Sequence, residues 1–122
     1  MLSPTVYIAG PITGIDNYKP RFEHADTVLR SAGYETRTPL GGPGMFTPLG
    51  FVAALHTPES GPSWHDYMRQ AICLLAQVDG VALLDGWENS RGAAWEQRIA
   101  TEVLAIPCLP IPEWLELGGM MP

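Results

Sequence analysis

The sequence predicts a small α/β domain in which a parallel sheet of four to five strands carries helices on both faces. Two patterns support that expectation. Short runs rich in β-branched and apolar residues, "TVYIAG" (5–10) and "GVALL" (80–84), stop abruptly, as buried strands do. Between and after them, apolar residues recur at spacings of three and four, the period of a helix with one buried face. Strands alternating with helices are joined by crossovers, which makes the sheet parallel and the fold doubly wound, or flavodoxin-like. A length of 122 residues suits one such domain with one modest core.

The elements follow in order. "TVYIAG" is the first strand, ended by Gly10. Pro20 fits the first turn of a helix whose buried face is Phe22, Ala25, Val28, Leu29 and Ala32, with Gly33 as its stop. "YETRTP" is a weak, short strand. Residues 39 to 62 hold five Gly and five Pro, too many for a helix or a central strand, so a long irregular loop is expected. Helical spacing resumes over 63 to 78, with Ser63 and Asp66 in capping-box arrangement. "GVALL" is the third strand. A helix from about Ala93 to Leu104 follows, and "IPCLPI" is a proline-limited strand near a sheet edge. The tail "EWLELGGMMP" is long enough for one helical turn.

Composition narrows the function. Hydrophobic residues make up 46% and charged residues 16%, as in ordinary globular domains. A net charge of -6 argues against a groove for a nucleic-acid polymer, which needs a basic face. A single nucleotide is still compatible, because backbone N–H groups and hydroxyls suffice to hold a phosphate. No apolar run approaches the roughly 20 residues of a membrane span, and the N-terminus has no signal-peptide pattern. A cytoplasmic protein without a membrane partner is expected. Cys73 and Cys108 fall in apolar runs and read as reduced core residues. Neither they nor His24, His56 and His65 have metal-ligand spacing, so no metal or cofactor is expected.

In doubly wound sheets, ligands bind beyond the carboxyl ends of the strands. "GPITG" (10–14) and "DGWENSRGAAWE" (85–96) both fall at that edge and would line one crevice. Gly10 and Gly14 allow close backbone approach, and Thr13 offers a hydroxyl, while Pro11 removes one donor. The same segment also serves as a tight strand-to-helix turn. Glu96, in the first turns of its helix, suits a nucleophile or general base held ionised by the helix dipole. A Glu there also simply stabilises the helix. Ser90 is either a helix cap or a ligand hydroxyl. Asp66 reads first as a capping-box acid, and Asp85 as a strand-end acid or a turn former. Trp64, Trp87 and Trp95 are either packed under the long loop or form a face on which a base stacks.

Taken together, these motifs resemble the nucleoside 2-deoxyribosyltransferase superfamily, most closely its short phage and bacterial members. The resemblance covers residues 5 to 34 and 63 to 110, and rests on "AGPITG" and "LLDGWENSRGAAWEQRIA". It implies that Glu96 is the nucleophile and that Tyr7 orients its carboxylate. Ser90 stands six residues before Glu96, where the monophosphate hydrolases carry a phosphate-binding Ser and the transferases an Asp. Gly10, Ile12, Thr13 and Gly14 match the first phosphate loop, with Thr13 where the hydrolases have an Arg. Asp66 is the nearest carboxylate to the acid that contacts the base, at a longer spacing from the third strand. Trp87 and Gly92 complete the expected substrate-facing set.

The implied chemistry suits these residues. An N-glycosidic bond breaks through an oxocarbenium-like transition state, which a carboxylate below C1 stabilises and traps. Asp66 or Asp85 would assist the departing base. The expectation is therefore N-glycosidic cleavage or base exchange on a nucleotide or nucleoside, with hydrolysis preferred. The alternative is a non-catalytic nucleotide-binding or nucleotide-sequestering protein.

Two apolar surpluses point to self-association. Met45, Phe46, Leu49, Phe51, Val52 and Leu55 are too apolar for a solvated loop, which should cover the crevice or a neighbouring subunit. Helix 63 to 78 has apolar residues on more than one face, and two-fold pairing is the commonest way to bury them. Light scattering at micromolar concentration is expected to return at least twice the chain mass of 13.3 kDa. A value near the chain mass itself would contradict a homodimer or any larger homo-oligomer.

Overall fold

A computed structural model describes residues 3–12, 16–39 and 64–122. The loop expected over 39 to 62 lies outside these residues apart from Pro39, as do Thr13, Gly14 and the expected cap Ser63. The described chain runs β1 (Thr5–Ala9), α1 (Tyr18–Ser31), β2 (Glu35–Arg37), α2 (Trp64–Leu75) and β3 (Gly80–Leu83). A single 3-10 turn (Trp87–Asn89), α3 (Arg91–Arg98), a π-helical turn (Ile99–Val103), β4 (Cys108–Pro110) and α4 (Ile111–Leu117) complete it. Four parallel strands lie in the order β2-β1-β3-β4. The expected small, doubly wound α/β fold is the fold observed.

Alternation along β1 sets the two layers. Val6 and Ile8 face one side, where Phe22, Ala25 and Leu29 of α1 meet Tyr34, Ala82 and Trp114. Tyr7 and Ala9 face the other, against Leu75 and Val78, Val81 and Leu83, and Ala93 and Ala100. Side chains of a strand alternate between faces, and here both faces are covered, so β1 and β3 are apolar almost throughout. The Tyr7 hydroxyl is thereby directed toward the layer formed by α2 and α3.

The C-terminal segment contributes more than a single turn. It forms α4, whose Trp114 is 0% exposed. The indole N–H donates to the Val81 carbonyl at 2.9 Å, and the ring meets Tyr34 edge-on at 5.5 Å. The Tyr34 hydroxyl lies 2.8 Å from the carbonyl oxygens of both Trp114 and Met120, so its one hydrogen is shared between them. One aromatic residue in a polar tail gives little periodicity, which is why the sequence understates this helix.

Three further expectations are corrected. α3 begins at Arg91, two residues before the expected start, because Ser90 caps it by accepting from the Ala93 N–H at 3.2 Å. Beyond Arg98 the helix widens to a π turn, with the Leu104 N–H on the Ile99 carbonyl. Cys73 is exposed and Cys108 only half-buried, both as free thiols. The buried positions of α2 are Met68, Ala71 and Leu75, and residue 73 falls between them, on the outer face. Apolar surplus does remain on that helix: Ile72 is 39% exposed, and Trp64, Tyr67 and Leu74 are half-buried. Among the described residues, no helix is long and apolar enough to cross a membrane.

Gly80 opens β3 because Trp114 leaves no room for a side chain. A Cβ there would stand 2.6 and 2.7 Å from Trp114 Cη2 and Cζ2, and 3.1 Å from the Pro107 carbonyl oxygen. Gly80→Ala is therefore expected to destabilise the fold by roughly 1–3 kcal/mol, the usual range for overpacking. Urea unfolding checks this as a lowered midpoint at unchanged slope. An unchanged midpoint would mean that the indole shifts freely.

Candidate functional site

The site is built where β1 and β3 deliver their chain ends to one edge. β1 pairs with β2 on one side and β3 on the other, so the connections after β1 and β3 diverge to opposite faces and leave a crevice between them. A cleft of about 600 Å³ occupies this position. Pro11 and Arg21 wall it from the β1–α1 side and Trp64 from the start of α2. The segment after β3 supplies Asp85, Gly86 and Asn89, and the start of α3 supplies Ser90, Arg91 and Gly92. Gly86 adopts φ 87°, a conformation that glycine takes without strain, and this turns the chain across the strand ends.

Thr13 and Gly14 lie outside the described residues; the other expected residues have definite positions. Gly10 is buried, and a Cβ on it would lie 2.7 Å from Leu84 Cβ. Packing against the end of β3 therefore already accounts for this glycine without a ligand. Ile12 packs on the α1 layer and Trp87 against the α2–α3 layer, and neither walls the cleft. Asp85, Ser90 and Gly92 do. Ser90 caps α3 and also lines the cleft. Asp66 pairs with Arg69 at 2.8 Å and is not part of the cleft wall. His24 and His65 are exposed, and among the described residues no group of three or more His, Cys, Asp or Glu could hold a metal ion.

The Tyr7–Glu96 pair lies between β1 and α3, outside the cleft wall. The Tyr7 hydroxyl donates to Glu96 Oε2 at 2.5 Å, and Glu96 is only 1% exposed. The helix dipole does not control this carboxylate, contrary to expectation. The earlier start of α3 puts Glu96 in the second turn, where the dipole has weakened. Burial disfavours the charged form and raises its pKa from 4.5 to about 8, while the Tyr7 hydrogen bond pulls the other way. Burial and the nearby carboxylate push Tyr7 and Tyr67 well above ordinary phenols.

Arg21 and Arg91 were not foreseen. The net charge of -6 favoured a phosphate site made without cations, yet the fold brings two guanidiniums to one cleft. The Arg21 Nη2 donates to the Asp85 carbonyl at 2.6 Å, tying α1 to the segment after β3. The Arg91 guanidinium lies 3.7 Å from the centroid of the Trp64 ring, a cation–π contact that holds it beside Ser90. The usable signal was local. Arg91 stands inside the motif "DGWENSRGAAWE" and Arg21 seven residues after "GPITG", a local placement that a whole-chain charge cannot show.

Over residues 4–106, most of its length, the chain matches the family described as "Domain of unknown function (DUF4406)", and it belongs to that family. No curated protein and no solved structure matches the chain.

Glu96 makes stability depend on pH in a defined direction. Its folded-state pKa is raised, so the folded protein holds a proton that the unfolded chain releases between 4.5 and about 8. The associated stability is fully present below the lower value and lost as pH rises through the upper one. Urea unfolding across this window is expected to show the decline in the native chain and a flatter dependence in Glu96→Gln. Parallel curves would mean that Glu96 titrates as an exposed carboxyl.

Proposed function

We propose that this member of the DUF4406 family cleaves the N-glycosidic bond of a nucleotide or nucleoside, with Glu96 as nucleophile. Hydrolysis is preferred over base exchange because Ser90, and not an Asp, precedes Glu96 by six residues. The observation that carries the reading is the buried Tyr7–Glu96 pair at 2.5 Å, on the strand and the helix whose adjoining residues, Pro11 and Ser90 to Gly92, wall a cleft at the carboxyl edge of a parallel sheet. The resemblance to the nucleoside 2-deoxyribosyltransferases gives both residues the roles that this geometry suits.

The cleft chemistry favours an anionic substrate. Two guanidiniums and a serine hydroxyl form charge-assisted hydrogen bonds to a phosphate. Arg21 and Arg91 thus offer the cationic partner that Thr13 does not. Trp64 presents a flat ring beside them, suited to a base or a sugar face. As the glycosidic bond lengthens, positive charge grows on the sugar ring, and an ionised Glu96 stabilises it and forms a bond to C1. Asp85, on the cleft wall, is the nearer acid to assist the departing base, since Asp66 is engaged by Arg69. Water then attacks C1 and releases Glu96.

One observation favours a second reading. Glu96 is 1% exposed and does not line the cleft, as suits a protein that binds a nucleotide without cleaving it. Incubation with a panel of deoxynucleosides and their 5-monophosphates, followed by chromatography for free base, separates the two readings. Base release, lowered by about 10³-fold or more in Glu96→Gln with the fold intact, is expected. Tight binding without release would assign the binding role instead. In calorimetry, Arg21→Ala or Arg91→Ala should weaken monophosphate binding by roughly 10–100-fold and nucleoside binding far less. Equal losses for both ligands would reject the phosphate site.

A further inference from the structure

Of the arginines in the chain, Arg30 is paired with Asp26, Arg37 with Glu35, Arg69 with Asp66 and Arg98 with Glu102. Among the described residues, no acid pairs with the other two, Arg21 and Arg91, and both of these wall the cleft. In a chain with 13 acidic and 7 basic residues, two guanidiniums left without an acid at one place form a selective arrangement. Arg21 is held by the Asp85 carbonyl. Arg91, at the start of α3, is held by the first residue of α2: its guanidinium carbon stands 3.7 Å from the centroid of the Trp64 ring.

The kind of contact decides what Arg91 has left to offer. At that separation, stacking by the flat face keeps the guanidinium nitrogens at ordinary van der Waals distance from the ring. The five N–H groups lie in the guanidinium plane. A carboxylate partner occupies them, whereas an aromatic ring takes the face and leaves the edge open. The ring also restrains a long side chain that would otherwise lose its rotamer freedom only when a ligand arrives. The indole is held in turn. Its Nε1 lies 3.7 Å from the point where a side chain on Gly92 would begin, and the His65 ring meets it edge-on at 5.3 Å.

We propose that Trp64 is a positioning residue that holds the Arg91 guanidinium as a flat, pre-oriented fork for a phosphomonoester in the cleft. An arriving phosphate meets two cations, neither of which has an ion pair to break, with Ser90 next to Arg91 on the same wall. The stack also limits what Trp64 does for a base. Arg91 covers one face of the ring, so a base stacking there would first have to displace the guanidinium. Trp64 therefore serves the phosphate end of a ligand, and it favours 5-phosphorylated over free nucleosides.

This role rests on the anionic-substrate part of the reading above but not on bond cleavage, and the test keeps the two apart. Calorimetry follows the binding of inorganic phosphate to the whole protein, with the tryptophan at position 64 replaced in separate preparations by mono-, di- and tetrafluorinated analogues. Fluorine draws electron density from the ring and weakens a cation–π contact with little change of shape. Phosphate affinity is expected to fall with each added fluorine, by roughly 3–10-fold in all, and to stay level across the same series in Arg91→Ala. Trp64→Leu should match the lowest affinity, Trp64→Tyr should recover most of the loss, and free deoxynucleosides should bind all of these variants alike. An affinity that is unaffected by fluorination, or rises with it, would overturn the role. An equal loss of nucleoside binding would do so too, and would return Trp64 to base stacking. Should Trp64→Leu fail to fold, the fluorinated series decides. A native protein that binds no phosphate overturns the role whether or not it releases base. A fluorine-dependent affinity in a protein that releases no base retains the fork and rejects the glycosidase; base release with unaffected phosphate affinity does the reverse.

Discussion

Burying a carboxylate without a cation is costly, and the rest of this site is arranged around that cost. Removing Glu96 from water penalises its charged form, and a single phenol at 2.5 Å opposes the penalty. That phenol has to come from a position whose backbone does not move. Tyr7 meets the requirement because β1 is central, hydrogen-bonded to β2 on one side and β3 on the other. The helix bearing Glu96 is fixed in turn by the Ser90 cap, so donor and acceptor are both anchored by main-chain geometry. A loop-borne partner would lose this geometry with each fluctuation.

The outer part of the site follows a different logic. Arg21 and Arg91 are each held by something other than an acid: a carbonyl for the first, an indole face for the second. Neither contact neutralises the guanidinium, so both positive charges remain available to a ligand. The cleft wall thus carries two cations, while the buried acid lies outside that wall, hydrogen-bonded to Tyr7.

Much of the fold was legible in the sequence. Strand runs such as "TVYIAG" and the spacing of Phe22, Ala25 and Leu29 report burial directly, because each buried position needs an apolar residue. The edge position of β4 followed from its prolines. Other features depend on contacts that local pattern does not encode. Trp114 is one aromatic residue in a polar tail, yet Gly80, far away in sequence, is shaped to receive it. Cys73 looked buried because its neighbours are apolar, and only the helix phase puts it outside. In the candidate site, Glu96, Tyr7 and Ser90 were singled out by motif and resemblance. The two arginines were not, because their significance lies in what the fold brings beside them. The charge state of Glu96 was misjudged for the same reason: a dipole can be inferred from position along a helix, whereas desolvation depends on everything packed around it.

The outer strands have a consequence for how copies of this chain can meet. β2 and β4 are three residues each, and Pro110 at the end of β4 lacks an N–H to offer. A row of open backbone groups on a sheet margin is a template for strand addition and for runaway aggregation, and margins this short, one of them blunted by proline, are poor templates. Were copies to associate, these margins would turn them away from continuous sheets and toward the helical flanks. There contact would be made by side chains, whose shape and charge can discriminate between partners in a way that backbone ladders cannot.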